Sequence, residues 1–254
     1  MTRFHDTVSH KIPPRRGRGP IWLLHLIAAL ILGVCFLYGA TVYDSLPRSV
    51  PSHWGAGGRP DAWSPKTFSS VFSPLMVSAA INVLLLLVSA AVPAMVPPDK
   101  DATDWSLYGR EGMLRGTIAV LGGTSILTAI MIGYLCVAGW TNPEHVPLWP
   151  AVMTTALIFA LIPVAFTAAS RWSRRTALRR GITPTAAEQE EEKLWIAGFL
   201  YNNPDDPDIW VAKRTGTGTG FTLNIGNTKG RTATIIFLAV FVALPLIFGL
   251  ISAL

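Results

Sequence analysis

The sequence predicts an all-α polytopic membrane protein, a five-helix transmembrane bundle carrying a small cytoplasmic β-ribbon. Three observations predict it. Half of the 254 residues are hydrophobic and only 14% are charged, against roughly 25% in a soluble domain. Five apolar runs reach the roughly 17 to 25 residues that cross a bilayer. The basic residues crowd onto one side of those runs. A mean hydropathy of +0.42 also excludes a disordered chain, which needs low hydrophobicity and high net charge.

The runs are 21–42, 72–92, 113–139, 149–169 and 234–254. The first is longer than the roughly 7 to 15 residues of a signal-peptide core. Tyr43-Asp44-Ser45-Leu46 offers no small-residue cleavage site, so the run reads as a mature helix. With the N-terminus inside, eighteen Lys and Arg lie on the cytoplasmic side, and three (Arg48, Arg59 and Lys66) lie outside. The expected organisation starts with a cytoplasmic tail at 1–20 and four helices over 21–169, with an extracytoplasmic loop at 43–71. A cytoplasmic segment at 170–231 and a fifth helix at 232–254 complete it, and the C-terminus lies outside. Trp22, Trp140 and Trp149 fall at the expected boundaries, where amphipathic rings collect. The net charge of +6 therefore points to an anionic bilayer surface and not to nucleic acid.

The cytoplasmic segment has recognisable parts. Residues 171–180 hold five arginines and no acid, and read as the fourth helix continuing into the headgroup layer. Gly181 and Pro184 end that helix, and Thr185 with Glu188 form a capping box for a short one. Short β-prone runs at 199–201, 209–211 and 221–225 predict the ribbon, which is too small to carry its own core. Its polar residues Asn203, Asp205, Asp206, Lys213, Arg214 and Asn224 are the candidate contacts for a protein partner. Alternating Gly and Thr at 216–220 beside Lys213 and Arg214 lacks the Gly-Lys-Ser/Thr of a phosphate loop and reads as a hairpin turn. Asp205, Asp206 and Asp208 lack the alternation and closing Glu of a calcium loop.

The extracytoplasmic loop is dense in Pro, Gly, Trp and charge, as in Ser52-His53-Trp54-Gly55 and Arg59-Pro60-Asp61-Ala62-Trp63. Prolines pin a backbone and glycines allow tight turns, so an ordered lid is expected. Two readings stand. In one, His53, Trp54, Asp61 and Lys66 contact a ligand or an extracellular peptide. In the other, the loop only caps the bundle, and Asp61 pairs with Arg59 or Lys66. His53, His145, Asp44, Asp61 and Glu144 share this side without metal-ligand spacing, so neither a metal nor a cofactor is expected. Cys35 and Cys136 are too few for a disulfide framework and read as inert thiols.

Within the spans, Asn82 is the one mid-span amide and is expected to bond a neighbouring helix. His25 reads as structural, and Gly122, Gly123, Thr124 and Ser125 read as a close-packing patch. The absence of mid-span Asp, Glu, Lys or Arg argues against an ion-coupled transporter. No Ser-His-Asp, Cys-His or paired-carboxylate set nominates a nucleophile.

Two stretches resemble known families. Leu46-Pro47, Val50-Pro51, His53-Trp54, Gly58, Asp61 and Lys66 are similar to the uncharacterised domain that opens the Sdp-type toxin-immunity membrane proteins. The run Gly198-Phe199-Leu200-Tyr201-Asn202-Asn203-Pro204-Asp205-Asp206-Pro207, with Val211, Lys213-Arg214, Gly220 and Asn224, resembles a second uncharacterised cytoplasmic domain often found beside the first. The later Asn-x-x-x-Gly-x-Arg-Thr motif of the immunity proteins is not reproduced by Asn224-Ile225-Gly226-Asn227. The resemblance implies a bacterial plasma-membrane protein, with toxin immunity or signal relay as its function. The leading expectation is a non-enzymatic sensor or immunity-type protein. An accessory subunit of a transport, secretion or respiratory complex is the alternative. A membrane enzyme with His53 and Asp61 as acid and base is the third.

Overall fold

The computed structural model describes residues 18–55, 57–147, 149–214, 220–244 and 247. Helix α1, Gly19–Val42, ends in a 3-10 turn at Tyr43–Ser45. Strands β1, Ser49–Trp54, and β2, Pro60–Pro65, lead into α2, Phe68–Met95. Helix α3, Asp104–Thr141, and α4, Trp149–Arg179, follow. Then come α5, Ala186–Lys193, β3, Trp195–Ile196, β4, Leu200–Tyr201, β5, Trp210–Ala212, and β6, Phe221–Leu223. Helix α6, Thr228–Leu238, continues through a π-helical turn at Ala239–Ala243.

Helices α1 to α4 are long and apolar enough to cross a membrane. Their outer faces carry exposed Leu30, Leu37, Leu87 and Val164, as a lipid solvent permits. Each of the first four sequence-predicted runs lies inside one of these helices. The fifth, 234–254, begins in α6, and most of its second half lies outside the described residues.

Helix α3 is the spine, packed against α1, α2 and α4. Its glycines make the approach close: a Cβ on Gly133 would stand 2.6 Å from the Cys35 sulfur of α1, and one on Gly123 would stand 2.5 Å from Leu161 of α4. At 1.5 Å per residue its 38 residues span about 57 Å, well beyond a bilayer core of about 30 Å. The surplus, 104–112, lies beside the polar end of α4, so both helices project from the same end of the bundle. Arg18 also lies there; we call it the arginine-rich end and the opposite one the hairpin end.

Polar groups inside the bundle are used for cross-linking. The His25 ring bonds Ser125 through Nδ1 at 3.1 Å and Ser89 through Nε2 at 3.0 Å, joining α1, α3 and α2. Asn82 corrects an expectation. Its amide donates at 2.9 Å to the carbonyl of Ser78, one turn back on its own helix, and bonds no neighbouring helix among the described residues. The i−4 carbonyl is the nearest acceptor to a short amide side chain, so local geometry wins.

Among the described residues, strands form three separate antiparallel pairs, β1–β2, β3–β4 and β5–β6. The first lies in the loop at the hairpin end. The expected ribbon is the other two pairs, joined by one bridge between Tyr201 and Asn224.

Candidate functional site

At the hairpin end, β1 and β2 form an irregular hairpin bulged around His53. The bulges bring His53 Nδ1 within 2.5 Å of Asp61 Oδ1. The capping reading had placed Asp61 against Arg59 or Lys66; its partner is instead His53. A carboxylate oxygen accepts, so Nδ1 is the donor of this bond. Nε2 makes no hydrogen bond among the described residues. The pair is open, with side chains 66% and 53% exposed. No hydrogen bond among the described residues ties a nucleophile to it.

Other hairpin candidates serve the frame. Trp54 turns inward, donating from Nε1 to the Pro143 carbonyl at 3.0 Å, and its ring lies against Gly139 of α3. Lys66 donates to the carbonyls of Tyr43, Asp44 and Leu46 and lies 5.3 Å from the Tyr43 ring. It therefore closes the end of α1, as a cation does for a helix C-terminus. Gly58, at φ +69°, accepts from the Val146 amide at 2.8 Å. A Cβ there would collide with the Val146 carbonyl, so only glycine fits the docked turn. The hairpin is thus fastened to the α3–α4 connection, with its His53–Asp61 edge facing away from the bundle.

The arginine-rich end holds the second group of candidates. Asn224 is fully buried. Its amide donates to the carbonyls of Asn203, Asp206 and Asp208, and its Oδ1 accepts from the amides of Asn203, Gly226 and Asn227. Asp206 accepts from the Tyr201 hydroxyl at 3.0 Å. Burial pushes that hydroxyl above its ordinary value, and Asp206 adds to the rise. Asn203, Asp206 and Asn224 therefore build one knot that closes the 201–227 segment. Asp205 is exposed on its surface. Arg214 reaches Glu191 of α5 at 3.0 Å, and the Lys213 amide pairs with Gly220 across the β5–β6 hairpin.

The same segment docks on the spine. Trp105 of α3 donates to Glu192 at 2.7 Å, Thr103 donates to Glu188, and the Phe199 ring stacks on Phe166 of α4 at 4.7 Å. Glu188 also accepts from the Thr185 amide at 2.8 Å, the capping box read in the sequence. Partial burial works to raise its pKa, but the bonds from Thr103 and Thr185 hold it below the ordinary 4.5.

Sequence reasoning missed Glu111. Its carboxylate is 4% exposed on α3 and lies between Arg18 and Arg115. The Arg18 bond raises that guanidinium's already high pKa. Arg115 also stacks 3.7 Å from the Trp172 ring. The signal was the i, i+4 pair of Glu111 and Arg115 where an apolar helix begins.

Residues 30–77, under a fifth of the chain, match a family described as a domain of unknown function, DUF1648. The match runs from α1 through the hairpin into α2 and includes His53, Trp54, Asp61 and Lys66. No curated protein and no solved structure matches the chain.

Proposed function

We propose that this protein is a non-enzymatic plasma-membrane sensor or toxin-immunity-type protein of a bacterium. Its hairpin end faces outward and its arginine-rich end faces the cytoplasm. Residues 232–254 supply a fifth span, so the N-terminus lies inside and the C-terminus outside. The His53–Asp61 edge meets an extracellular peptide or envelope component. The 186–227 segment meets a protein partner through Asp205 and Lys213. No cofactor, metal or nucleic acid takes part.

One observation carries the reading: both motif-rich modules fasten to the same helix. Trp54 lies on Gly139 near one end of α3, and Glu192 holds Trp105 near the other. A ligand that shifts the hairpin acts on a rod whose far end holds the partner-binding segment. Coupling requires that the ligand favour one arrangement of this rod over another.

The test compares a deletion strain complemented with the wild-type chain or with a His53→Ala, Asp61→Ala chain. Survival against envelope-active peptides and the transcriptional response are scored. The variant is expected to accumulate normally in the membrane and to behave like the deletion. Full activity of the variant would remove the outer edge from the function.

The accessory-subunit reading has its own support. Trp210 and Phe221 share one face of the β5–β6 pair and are 64% and 66% exposed. Such a face suits a permanent neighbour. A stoichiometric partner co-purifying in mild detergent, and lost on Trp210→Ser with Phe221→Ser, would favour this reading.

A further inference from the structure

A cavity of about 300 Å³ opens at the arginine-rich end between α3, α4 and the β3–β4 turn. Its wall holds three guanidiniums, Arg171, Arg174 and Arg214, against one carboxylate, Glu192. Arg174 approaches Glu192 at 3.5 Å, while Arg171 makes no ion pair among the described residues and is exposed. Tyr108 also lines the cavity and is 1% exposed. Its hydroxyl is buried with no hydrogen-bond partner among the described residues. Native interiors seldom leave such a group unpaired.

Two backbone features shape the space. Ala197 in the wall adopts φ +50°, a conformation that residues other than Gly, Asn and Asp rarely take. Such strain gathers at ligand sites. Gly109 faces open room: a Cβ built on it meets nothing within 4 Å.

Position adds the last observation. Met113 and Thr167 line the cavity where the long apolar stretches of α3 and α4 give way to polar sequence. The cavity therefore spans the headgroup layer of whichever leaflet borders this end. A second hollow of about 260 Å³, lined by Asp99, Asp101 and Glu191, adjoins it across Trp105 and Glu192. Arg214 borders both hollows and is held by Glu191 at 3.0 Å, so the cations that face the first cavity away from these carboxylates are Arg171 and Arg174.

We propose that this cavity binds a phosphate group, delivered either by an anionic phospholipid headgroup or by a soluble phosphate. Arginine forks match phosphate oxygens two at a time, and basic pockets between helices at a bilayer face suit lipid headgroups. Tyr108, whose hydroxyl has no partner among the described residues, lines the same cavity and is the neutral donor at hand. The site is independent of the hairpin and of the sensor reading.

The test uses the full chain, delipidated in a mild detergent that carries no phosphate. Tryptophan fluorescence is followed, since Trp105 and Trp195 line the cavity. The titrants are dihexanoyl phosphatidylglycerol, dihexanoylglycerol (the same lipid core without phosphate) and inorganic phosphate. Saturable binding of phosphatidylglycerol is expected, with none of dihexanoylglycerol. Competition by inorganic phosphate makes the phosphate group itself sufficient; lack of competition assigns the site to the lipid headgroup. Binding should weaken about tenfold or more, roughly 1.4 kcal/mol, in Arg171→Gln, Arg174→Gln and, separately, in Gly109→Leu. Gly109 lines both this cavity and the acidic hollow, so Gly109→Leu narrows the space they share without removing a charge, and a thermal melt checks that it folds. Absence of saturable binding by both phosphate compounds would overturn the proposal. So would wild-type binding by either variant.

Discussion

One side chain, Asn224, holds the 201–227 segment closed. It donates to three carbonyls and accepts from three amides without reaching solvent. Each such bond contributes about 0.5–1.5 kcal/mol net, and unpaired buried partners cost more. Asn224→Ala is therefore expected to cost about 3 kcal/mol or more and to open this segment locally. Limited proteolysis should show new cleavage within 201–227 while the four long helices stay protected. Cleavage no faster than in the wild type would show that the knot does not depend on this residue. The sequence singled out Asn203, Asp206 and Asn224 as polar residues in a turn-rich stretch, but read them as facing a partner. Polarity alone does not separate a side chain that bonds its own backbone from one that waits for a ligand. His53 and Asp61 differ: both stay exposed, and their mutual bond, which the bulged hairpin creates, was not legible in the sequence.

At the scale of elements, capping was easier to read than pairing. Thr185 and Glu188 announce α5, and the structure places both bonds of the box. The hairpin was less legible because Pro51, Pro60 and Pro65 argue against strands. Two strands with no further neighbour tolerate them, since the missing amides face no third strand. Strand β3 is two residues long, too short for a period to show. Helix α5 also carries a pH dependence. Glu188 has a lowered pKa, so its contribution is complete above the ordinary value of 4.5 and is lost as pH falls through the lowered one. Glu188→Gln should lower the melting temperature of the full chain near pH 7. The gap from wild type should close as pH falls below 4.5. A gap that holds its size across that range would rule out the carboxylate as the cause.

At the scale of the whole molecule, hydropathy located the helices because lipid forces every backbone group to bond within its own segment. Span ends were less legible. Both α3 and α4 run on past their apolar stretches as polar helix, and a hydropathy window cannot see a helix that continues outside the bilayer. Their projections give the arginine-rich end its platform for α5 and the β3–β6 segment. The hairpin fastens to the α3–α4 connection at the other end, through Trp54 and Gly58. The two modules are thus fastened near opposite ends of the spine, at Trp105 and Gly139, about 51 Å apart at 1.5 Å per residue.

That separation is the central claim, and cysteine labelling tests it directly. Cys35 and Cys136 are replaced by serine, and single cysteines are placed at the exposed positions Ala62 and Asp205. Ala62→Cys should react with a membrane-impermeant maleimide in intact cells, and Asp205→Cys only after permeabilisation. Reaction of Asp205→Cys in intact cells would contradict the arrangement.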